Sequence, residues 1–296
     1  MGAPPGSPLP CCLAAAFATL WFATRETPRN SGAVQFNGYL TRDASSPSEF
    51  LRLGREELKR YSTVVFKQGR VICAERRDKS FRVWTDSGET FTARLLLLAT
   101  GLQDQLPDIP GFQEGYGKFV HSCPYCDGWE CRDQPLAVVG RDQPAIDLAI
   151  ELLQWSSKIS LCTNGPVEWD GGKQRRDLTR LGIPLDERFI DGLESEGEVL
   201  RGLRFSDGSL MDLHAVFLSP VQTQCSSLAI SLGCETCEED GCLRCDEDAS
   251  TTVPGLYVAG NTRQGPQLVI VAVSQGTLAA LTMNNALICA DTGTDD

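Results

Sequence analysis

The chain of 296 residues is 42% hydrophobic and 22% charged, which is ordinary for a globular protein and allows roughly two domains with cores of their own. Its formal net charge of −12 at pH 7 argues against a nucleic-acid partner, because phosphate repels an acidic surface. No stretch reaches the about 20 apolar residues that a membrane-spanning helix needs, so no membrane partner is expected.

The 13 cysteines are an odd number spread through a long chain, which is not typical of a secreted disulfide framework. We therefore expect a reducing, cytoplasmic compartment and one or two special cysteine sites. The apolar run CCLAAAFATLWFA, from Cys11 to Ala23, has the length of a signal-peptide core, but no Lys or Arg precedes it. We expect this run to form a buried helix.

The first half of the chain predicts one helix followed by short strands. In SSPSEFLRLGREELKRY, Ser46 is expected to cap the helix, with Pro47 at its first position and Glu49 completing a capping box. The segments STVVF, GRVICAE and SFRVWTDSGETFTA predict strands, with a hairpin turn at 86–88. The apolar run RLLLLATG predicts a buried strand that ends in a tight turn at Gly101.

The second half predicts alternating strands and helices. PLAVVGRDQPAIDLAIELLQW predicts a strand, a glycine turn and a helix, and KISLCTNG predicts the next strand. This order is typical of a nucleotide-binding unit. Further on, GLRFSDGSLMDLHAVFLSP predicts a hairpin around 207–208, and the segment that starts at PGLYVAGNTRQG predicts a strand, a glycine loop and a long helix.

A CxxC pair, Cys123 and Cys126, lies in HSCPYCDGWE. Such a pair closes a small disulfide ring, and at the start of a helix the local field favours one reactive thiolate. Asp127 follows directly and is suited to give a proton to a departing thiolate. The motif alone leaves three possibilities: a redox dithiol, half of a metal site, or ordinary buried cysteines. Tyr125 and Trp129 are expected in buried packing, with the wall of a small-molecule pocket as the alternative.

A second cysteine cluster lies in CETCEEDGCLRC and contains Cys234, Cys237, Cys242 and Cys245. Two CxxC pairs formally satisfy a four-thiolate zinc site. Only four residues separate the pairs, which is tight for two metal knuckles. We predict no metal site and expect incidental thiols, with zinc and a second redox pair as the alternatives.

Four segments, LLLLATG, CPYCDG, VVGRDQPAIDLAIEL and PGLYVAGN, occur in an order and at a spacing that resembles the low-molecular-weight thioredoxin reductases. The chain looks closer still to the related FAD-dependent oxidases and reductases of disulfide-containing metabolites, and TPRNSGAVQFNGYLTRDASSPSEF is similar to that group too. The resemblance covers nearly the whole chain, from about Thr27 to Leu287.

This resemblance implies an α/β fold of two interleaved doubly wound, Rossmann-like domains, in a homodimer. Residues 1–112 and 246–296 would bind FAD, and residues 113–245 would form an NADPH-binding-like domain that carries the CxxC pair. The implied activity is FAD-dependent thiol-disulfide exchange, either as a thioredoxin reductase-like enzyme or as an oxidase that closes a disulfide in a secondary metabolite. The partner would be a small-molecule dithiol or disulfide, or a thioredoxin-like protein.

The resemblance also assigns roles to residues. Cys126 would face the flavin as the charge-transfer thiolate, Cys123 would exchange with the substrate, and Asp127 would donate a proton. His121 would be a base near the cysteines, with a structural histidine as the alternative. The residues that would contact FAD are Thr100, Gly101, Gly260, Asn261 and Gln267.

The N-terminus departs from the family pattern. An FAD domain should begin with a strand, a glycine-rich turn and a helix, but only Gly2 and Gly6 of the turn are kept and the first strand is missing. Four prolines between positions 4 and 10 obstruct the helix, and Ala23 or Thr24 stands where an acidic residue should bind the adenosine ribose. We prefer the hypothesis of a truncated or frame-shifted gene start. The alternative is a catalytically impaired homologue with poor FAD binding.

The NADPH motif departs as well. Gly140 is kept, but Asp142 replaces the middle glycine and Ala145 fills the third position. A carboxylate beside a pyrophosphate is unfavourable. The arginines that would offset it, or hold a 2′-phosphate, are Arg141, Arg175 and Arg176. NADPH is therefore a possible cofactor only, and the weak motif favours the oxidase.

Overall fold

The computed structural model describes residues 20–24, 28–169, 172–237 and 240–294. The chain divides into two compact units, each built from segments that are distant in the sequence. Unit 2 consists of Gly32–Gly38 and Asp104–Val221, and the remaining described residues form unit 1. Mixed α/β structure with parallel sheets and interleaved units confirms the fold class that the sequence predicts.

The described elements include two runs of consecutive strands, within residues 64–105 and 185–224, and alternate between strand and helix from residue 120 to residue 186. The strands are β1 (Leu20–Thr24), β2 (Val64–Gln68), β3 (Val71–Arg77), β4 (Ser80–Thr85), β5 (Thr90–Ala93), β6 (Leu96–Leu98), β7 (Leu102–Gln105), β8 (Val120–His121), β9 (Leu136–Val139), β10 (Ile159–Cys162), β11 (Leu185–Asp186), β12 (Ile190–Glu196), β13 (Val199–Phe205), β14 (Leu210–Asp212), β15 (Ala215–Phe217), β16 (Val221–Gln224) and β17 (Leu256–Val258). The helices are α1 (Pro47–Leu58), α2 (Phe112–Gly115), α3 (Pro124–Asp127), α4 (Gln143–Glu151), α5 (Lys173–Leu181), α6 (Leu228–Ser231) and α7 (Val269–Thr292), with 3-10 turns at Leu152–Gln154 and Gly260–Thr262.

Unit 2 is built on a parallel sheet with the strand order β11-β10-β9-β15-β8. From β9, Leu136 and Val138 enter a core shared with residues of helices α4 and α5. Ala137 and Val139 enter a second core, shared with the antiparallel sheet β12-β13-β14. A central strand that is buried on both faces explains why its sequence is apolar without alternation.

Unit 1 contains two parallel strand pairs, β1 with β2 and β17 with β6, and the antiparallel sheet β3-β4-β5. The hairpin turn predicted at 86–88 is confirmed: Gly88 adopts the left-handed conformation and its N–H bonds the carbonyl of Thr85. The long helix α7 packs small residues, Ala279 and Ala280, in one core cluster with Tyr257 of β17. Small side chains let helix and strand approach closely.

The borders of the units differ from the predicted domain borders at 112/113 and 245/246. The units change at 103/104, within β7, and at 221/222, within β16. Residues that follow β16, among them Leu228 and Leu243, are buried in a core with Phe81 of unit 1. The segment 222–245 therefore folds with the ends of the chain, because its apolar side chains complete that core.

Two local predictions near the N-terminus are wrong. Leu20–Thr24 is a strand paired in parallel with β2 and not the end of a buried helix, since β2 offers it backbone partners; residues 11–19 lie outside the described residues. Helix α1 begins after Ser46 as predicted, but the Ser46 side chain makes no capping bond, and Glu49 pairs with Arg52 instead. Within the described part of the chain, no helix is both long and apolar enough to cross a membrane.

Gly140 joins β9 to helix α4, and a Cβ atom added to it would lie 2.5 Å from the Cβ atom of Ala145. We expect Gly140→Ala to lower the Tm, because the turn must shift at a cost of about 1–3 kcal/mol. Ala145→Gly removes the clash, so the double variant should lose less stability than the sum of the two single variants. Thermal unfolding of all four proteins measures this coupling; strictly additive losses would contradict the close contact.

Candidate active site

The cysteine pair follows the edge strand of the parallel sheet in unit 2. Strand β8 ends at His121, which lies opposite Phe217 of β15, and the chain then turns into Cys123. The sulfurs of Cys123 and Cys126 are joined in a disulfide, with the Cα atoms 5.3 Å apart. The pair therefore lies at the carboxyl edge of the sheet, where open α/β sheets bind their ligands.

The sequence between the cysteines fixes the short helix that holds them. Cys123 is the residue before helix α3, and Pro124 occupies the first helical position, where a missing N–H costs nothing. The backbone N–H of Cys126 donates to the Cys123 sulfur at 3.2 Å. Gly128 follows the helix, and only glycine fits there, because a Cβ atom would lie 2.4 Å from the Pro124 carbonyl oxygen and 2.8 Å from the Trp155 ring.

His121 and Asp127, predicted as base and proton donor, lie together beside the disulfide. Nδ1 of His121 is 3.4 Å from Oδ1 of Asp127. The His121 residue is 8% exposed and its ring lies 5.3 Å from the ring of Phe217. The imidazole thus lies between the ring of Phe217 and the carboxylate of Asp127, the residue that follows Cys126.

Asn37 is a further site residue, which the sequence motifs do not predict. Its side-chain amide donates to the carbonyl oxygen of Cys126 at 2.9 Å, from the segment Gly32–Gly38 that joins unit 2. The sequence did contain a signal, since Asn37 lies in the segment TPRNSGAVQFNGYLTRDASSPSEF, which resembles the related oxidases and reductases. Tyr116 adds a second support: its hydroxyl contacts Ser122 Oγ at 3.2 Å and donates to Asp104 at 2.7 Å.

The prediction of buried packing for Tyr125 and Trp129 is wrong. Their exposed fractions are 65% and 64%, so both present aromatic surface next to the disulfide. The ring of Tyr125 meets Trp155 edge to face at 5.5 Å, and a hydrogen bond with Glu151 raises the pKa of its hydroxyl. The ring of Trp155 already packs against Gly128, which lies between Tyr125 and Trp129 in the sequence.

A third thiol near the pair, Cys131, is not placed for exchange. It is buried in the core of unit 2, and this burial raises its pKa to about 12. A thiol with such a pKa stays protonated near neutral pH and is a poor nucleophile. The chemistry of this region therefore rests on Cys123 and Cys126.

The residues predicted to contact FAD lie in unit 1, after two neighbouring parallel strands. β6 ends just before Thr100 and Gly101, and β17 ends just before Gly260 and Asn261. Both glycines adopt positive φ, 69° and 74°, a conformation that glycine takes without strain. The structure thus brings these four residues to one edge of one sheet, although they are 160 positions apart in the chain.

Gln267 belongs to a side-chain network in the same unit. It exchanges hydrogen bonds with Gln222 and accepts one from Arg29. Helix α7 begins at Val269, so Gln267 lies two residues before the helix. Gln275, which the sequence analysis missed, accepts a hydrogen bond from the N–H of Gly260 at 2.8 Å and so holds the glycine loop.

The loop after β17 contains buried donors that a ligand would complete. Nε and Nη1 of Arg263 are buried and have no hydrogen-bond partner among the described residues, whereas Nη2 donates to the carbonyl of Asp246. Buried, unpaired guanidinium N–H groups are rare and favour an anionic or acceptor-rich group. The glycine turns at Gly101 and Gly260, at the carboxyl edge of two neighbouring parallel strands, fit the FAD that the family uses. Gly2 and Gly6, also predicted for FAD, lie outside the described residues.

The predicted NADPH motif does not fit a pyrophosphate as it stands. Asp142 is the residue before helix α4, and its carboxylate accepts the N–H of Ala145 at 3.1 Å. This N-terminal position of the helix, which attracts phosphate in dinucleotide-binding folds, thus already has a carboxylate. A second anion there would meet its negative charge.

The arginines near this motif have protein partners. Arg175 makes a bidentate pair with Glu187, and the hydrogen bonds from Arg175 and from the Val167 N–H lower the pKa of Glu187 to about 2. Arg141 donates to the carbonyl of Pro166 at 3.0 Å. Neither guanidinium is therefore free to offset Asp142.

The second cysteine cluster lies in unit 1, and its four sulfurs are unbonded. Among the residues that the structure describes, no group of three or more His, Cys, Asp or Glu side chains is placed to hold a metal ion. The zinc alternative therefore receives no support from the geometry.

Comparisons with known proteins identify the family of the chain. The family model of the pyridine nucleotide-disulphide oxidoreductases matches residues 41–276. The crystal structure of HlmI superposes with a TM-score of 0.93 at 34% identity, covering 99% of this chain and 92% of HlmI.

Two curated fungal relatives show how coverage varies. "Thioredoxin reductase sirT" of Leptosphaeria maculans is 26% identical over 89% of this chain and 85% of its own length. "Probable thioredoxin reductase" of Arthroderma benhamiae is 34% identical, but the match spans only 46% of this chain and 35% of that protein.

Family members use FAD and NADPH. The disulfide in CPYC, the glycine turns after β6 and β17, and the extent of these matches lead to one assignment. The chain belongs to the pyridine nucleotide-disulphide oxidoreductase family and is an FAD-dependent, thioredoxin reductase-like oxidoreductase that acts on sulfur groups.

Proposed function

We propose that this enzyme is a dithiol oxidase that closes a disulfide in a small molecule by exchange with Cys123 and Cys126. The observation that carries the proposal is the Cys123–Cys126 disulfide at the carboxyl edge of the sheet, with exposed aromatic rings beside it. Asp142 supports the oxidase direction, because its carboxylate occupies the helix terminus that NADPH would need.

The exchange requires two substrate thiols. One substrate thiolate attacks the Cys123 sulfur, which forms a mixed disulfide and releases Cys126 as a thiolate. The second substrate thiolate attacks the substrate sulfur of the mixed disulfide, which closes the product disulfide and releases Cys123. The N–H of Cys126, which already faces the Cys123 sulfur, favours negative charge on that sulfur as it departs.

Bound FAD supplies the acceptor for the electron pair, with oxygen as the final oxidant, and Thr100, Gly101, Gly260, Asn261 and Gln267 are the residues that would hold it. His121 and Asp127 manage the protons of the exchange. Nδ1 of His121 and Oδ1 of Asp127 are 3.4 Å apart, and the two residues flank the cysteine pair, since His121 lies two positions before Cys123 and Asp127 directly follows Cys126.

Reduction of a thioredoxin-like protein is the second candidate. Two of the relatives described above are named as thioredoxin reductases, and the exposed rings of Tyr125 and Trp129 offer aromatic surface to a protein partner. In that case NADPH would supply the electrons, and the helix terminus capped by Asp142 would have to open.

The direction of electron flow separates these candidates. We expect oxygen uptake with dithiothreitol as the dithiol probe to exceed NADPH oxidation with oxidised glutathione by about tenfold or more, because Asp142 opposes the pyrophosphate. An oxygen electrode and NADPH absorbance measure the two rates on the same preparation. Cys123→Ser should abolish both. Faster NADPH turnover would favour the reductase.

The pair of His121 and Asp127 makes a separate prediction. We expect Asp127→Asn to lower kcat about 10²-fold and to flatten the pH profile, because the amide cannot take up or release a proton. Glu130→Gln changes a neighbouring exposed carboxylate and should leave both unchanged. Stopped-flow turnover with dithiothreitol from pH 5 to pH 9 provides the measurement. A decrease in kcat of about tenfold is the smallest decisive effect. Equal rates for the two variants would exclude a proton-transfer role.

Flavin binding tests the impaired alternative. We expect the purified protein to show flavin absorption bands, and Asn261→Ala to weaken FAD binding by about tenfold through the loss of a hydrogen bond. Equilibrium titration with FAD, followed by fluorescence quenching, gives the affinity, and Asn285→Ala on helix α7 is the matched control. A wild-type protein that takes up no added FAD would support the impaired homologue.

A further inference from the structure

The second cysteine cluster forms an antiparallel ribbon, defined here as residues 234–237 and 242–245. Thr236 and Leu243 form an antiparallel bridge. The N–H of Cys237 donates to the carbonyl of Cys242 at 2.8 Å, and the N–H of Arg244 donates to the carbonyl of Glu235 at 2.9 Å. These bonds fix the register, in which Cys237 lies opposite Cys242.

Side chains on one face of the ribbon confirm that register. Glu235 and Arg244 lie opposite each other, and their charged groups meet at 3.5 Å. Because side chains two positions apart in a strand share a face, Cys237 and Cys242 lie on the same face as this ion pair. Opposite residues of a hydrogen-bonded antiparallel pair have Cα atoms about 5.5 Å apart, which is within the range of disulfides.

The two thiols differ in access. Cys237 is half-buried, whereas Cys242 is 5% exposed. This asymmetry suits a pair in which one thiol reacts with an incoming disulfide and the other completes the bond from within. Neither sulfur is bonded to another in the structure.

We propose that Cys237 and Cys242 form a second, reversible dithiol–disulfide site that exchanges with small-molecule disulfides. The Cys237 thiolate attacks one sulfur of the small disulfide, which forms a mixed disulfide and releases one thiol. Cys242 then loses its proton and attacks the Cys237 sulfur, which closes the protein disulfide and releases the second thiol. The protein loses two hydrogens, and the small disulfide is reduced to two thiols.

Burial controls the rate of the second step. Burial, together with the nearby carboxylate of Asp240, raises the pKa of Cys242 to about 12. Little Cys242 thiolate is present near neutral pH, but the reacting sulfurs are held opposite each other, which compensates through a high effective concentration. The mixed disulfide on Cys237 should therefore form first and close more slowly.

The position of the ribbon gives the site a structural consequence. The N–H of Leu243 donates to the carbonyl of Thr262 at 2.9 Å, and Gln224 donates both to that carbonyl and to the carbonyl of Gly241. The ribbon is thus bonded directly to the loop that follows β17, which carries Asn261. A disulfide across the ribbon would fix the strand that supports this loop.

The test uses the full-length protein with Cys123→Ser and Cys126→Ser, so that the first disulfide cannot contribute. After reduction and removal of the reductant, the protein is treated with oxidised glutathione at pH 8, free thiols are alkylated, and peptides are identified by mass spectrometry. We expect a Cys237–Cys242 linkage in more than about half of the molecules, given the favourable separation of the two Cα atoms. The wild-type protein should give the same linkage, which removes any dependence on the two substitutions.

Single variants test the order of the steps. Cys242→Ser should stop at one glutathione adduct on Cys237, and Cys237→Ser should leave Cys242 without an adduct. Cys73→Ser, which removes an exposed thiol in another sheet, is the matched control and should leave the linkage unchanged. The proposal is overturned if Cys237 and Cys242 both remain alkylatable, or if either links to Cys234 or Cys245. These outcomes are independent of catalysis by Cys123 and Cys126.

Discussion

The pairing of β8 with β15 is the constraint on which the candidate site depends. Because β8 is only two residues long and ends at His121, the chain must turn at the carboxyl edge of the sheet, and the turn contains the cysteine pair. The same pairing places the His121 ring against Phe217, and Nδ1 of His121 then lies near the carboxylate of Asp127. Disulfide, imidazole and carboxylate are therefore positioned by one short strand of a buried sheet.

The two nucleotide motifs differ in what their residues leave unsatisfied. Arg263 has buried N–H groups without a hydrogen-bond partner in the described chain, which is rare for buried donors. At helix α4 the opposite holds, because Asp142 already satisfies the N–H of Ala145. Hydrogen-bond satisfaction thus differs between the two predicted nucleotide motifs.

Cysteine reactivity in this chain follows position more than motif. Three cysteines spaced within nine residues, Cys123, Cys126 and Cys131, divide into a helix-start pair and a buried thiol whose pKa is near 12. In the ribbon, Cys237 and Cys242 lie opposite each other on two antiparallel segments, although they are not a CxxC pair. Counting thiols in the sequence cannot separate these cases, because burial and strand register decide them.

The sequence by itself determined most strands and helices, the nucleotide-binding class and the cysteine pair, because these depend on local periodicity and on short motifs. It did not determine the strand at Leu20–Thr24, the unit borders at 103/104 and 221/222, or the contact from Asn37 to Cys126. Each of these is a pairing between distant segments. Only the tertiary structure decided them. A segment pairs with the partner that satisfies its backbone hydrogen bonds and buries its apolar side chains, and the local sequence does not identify that partner.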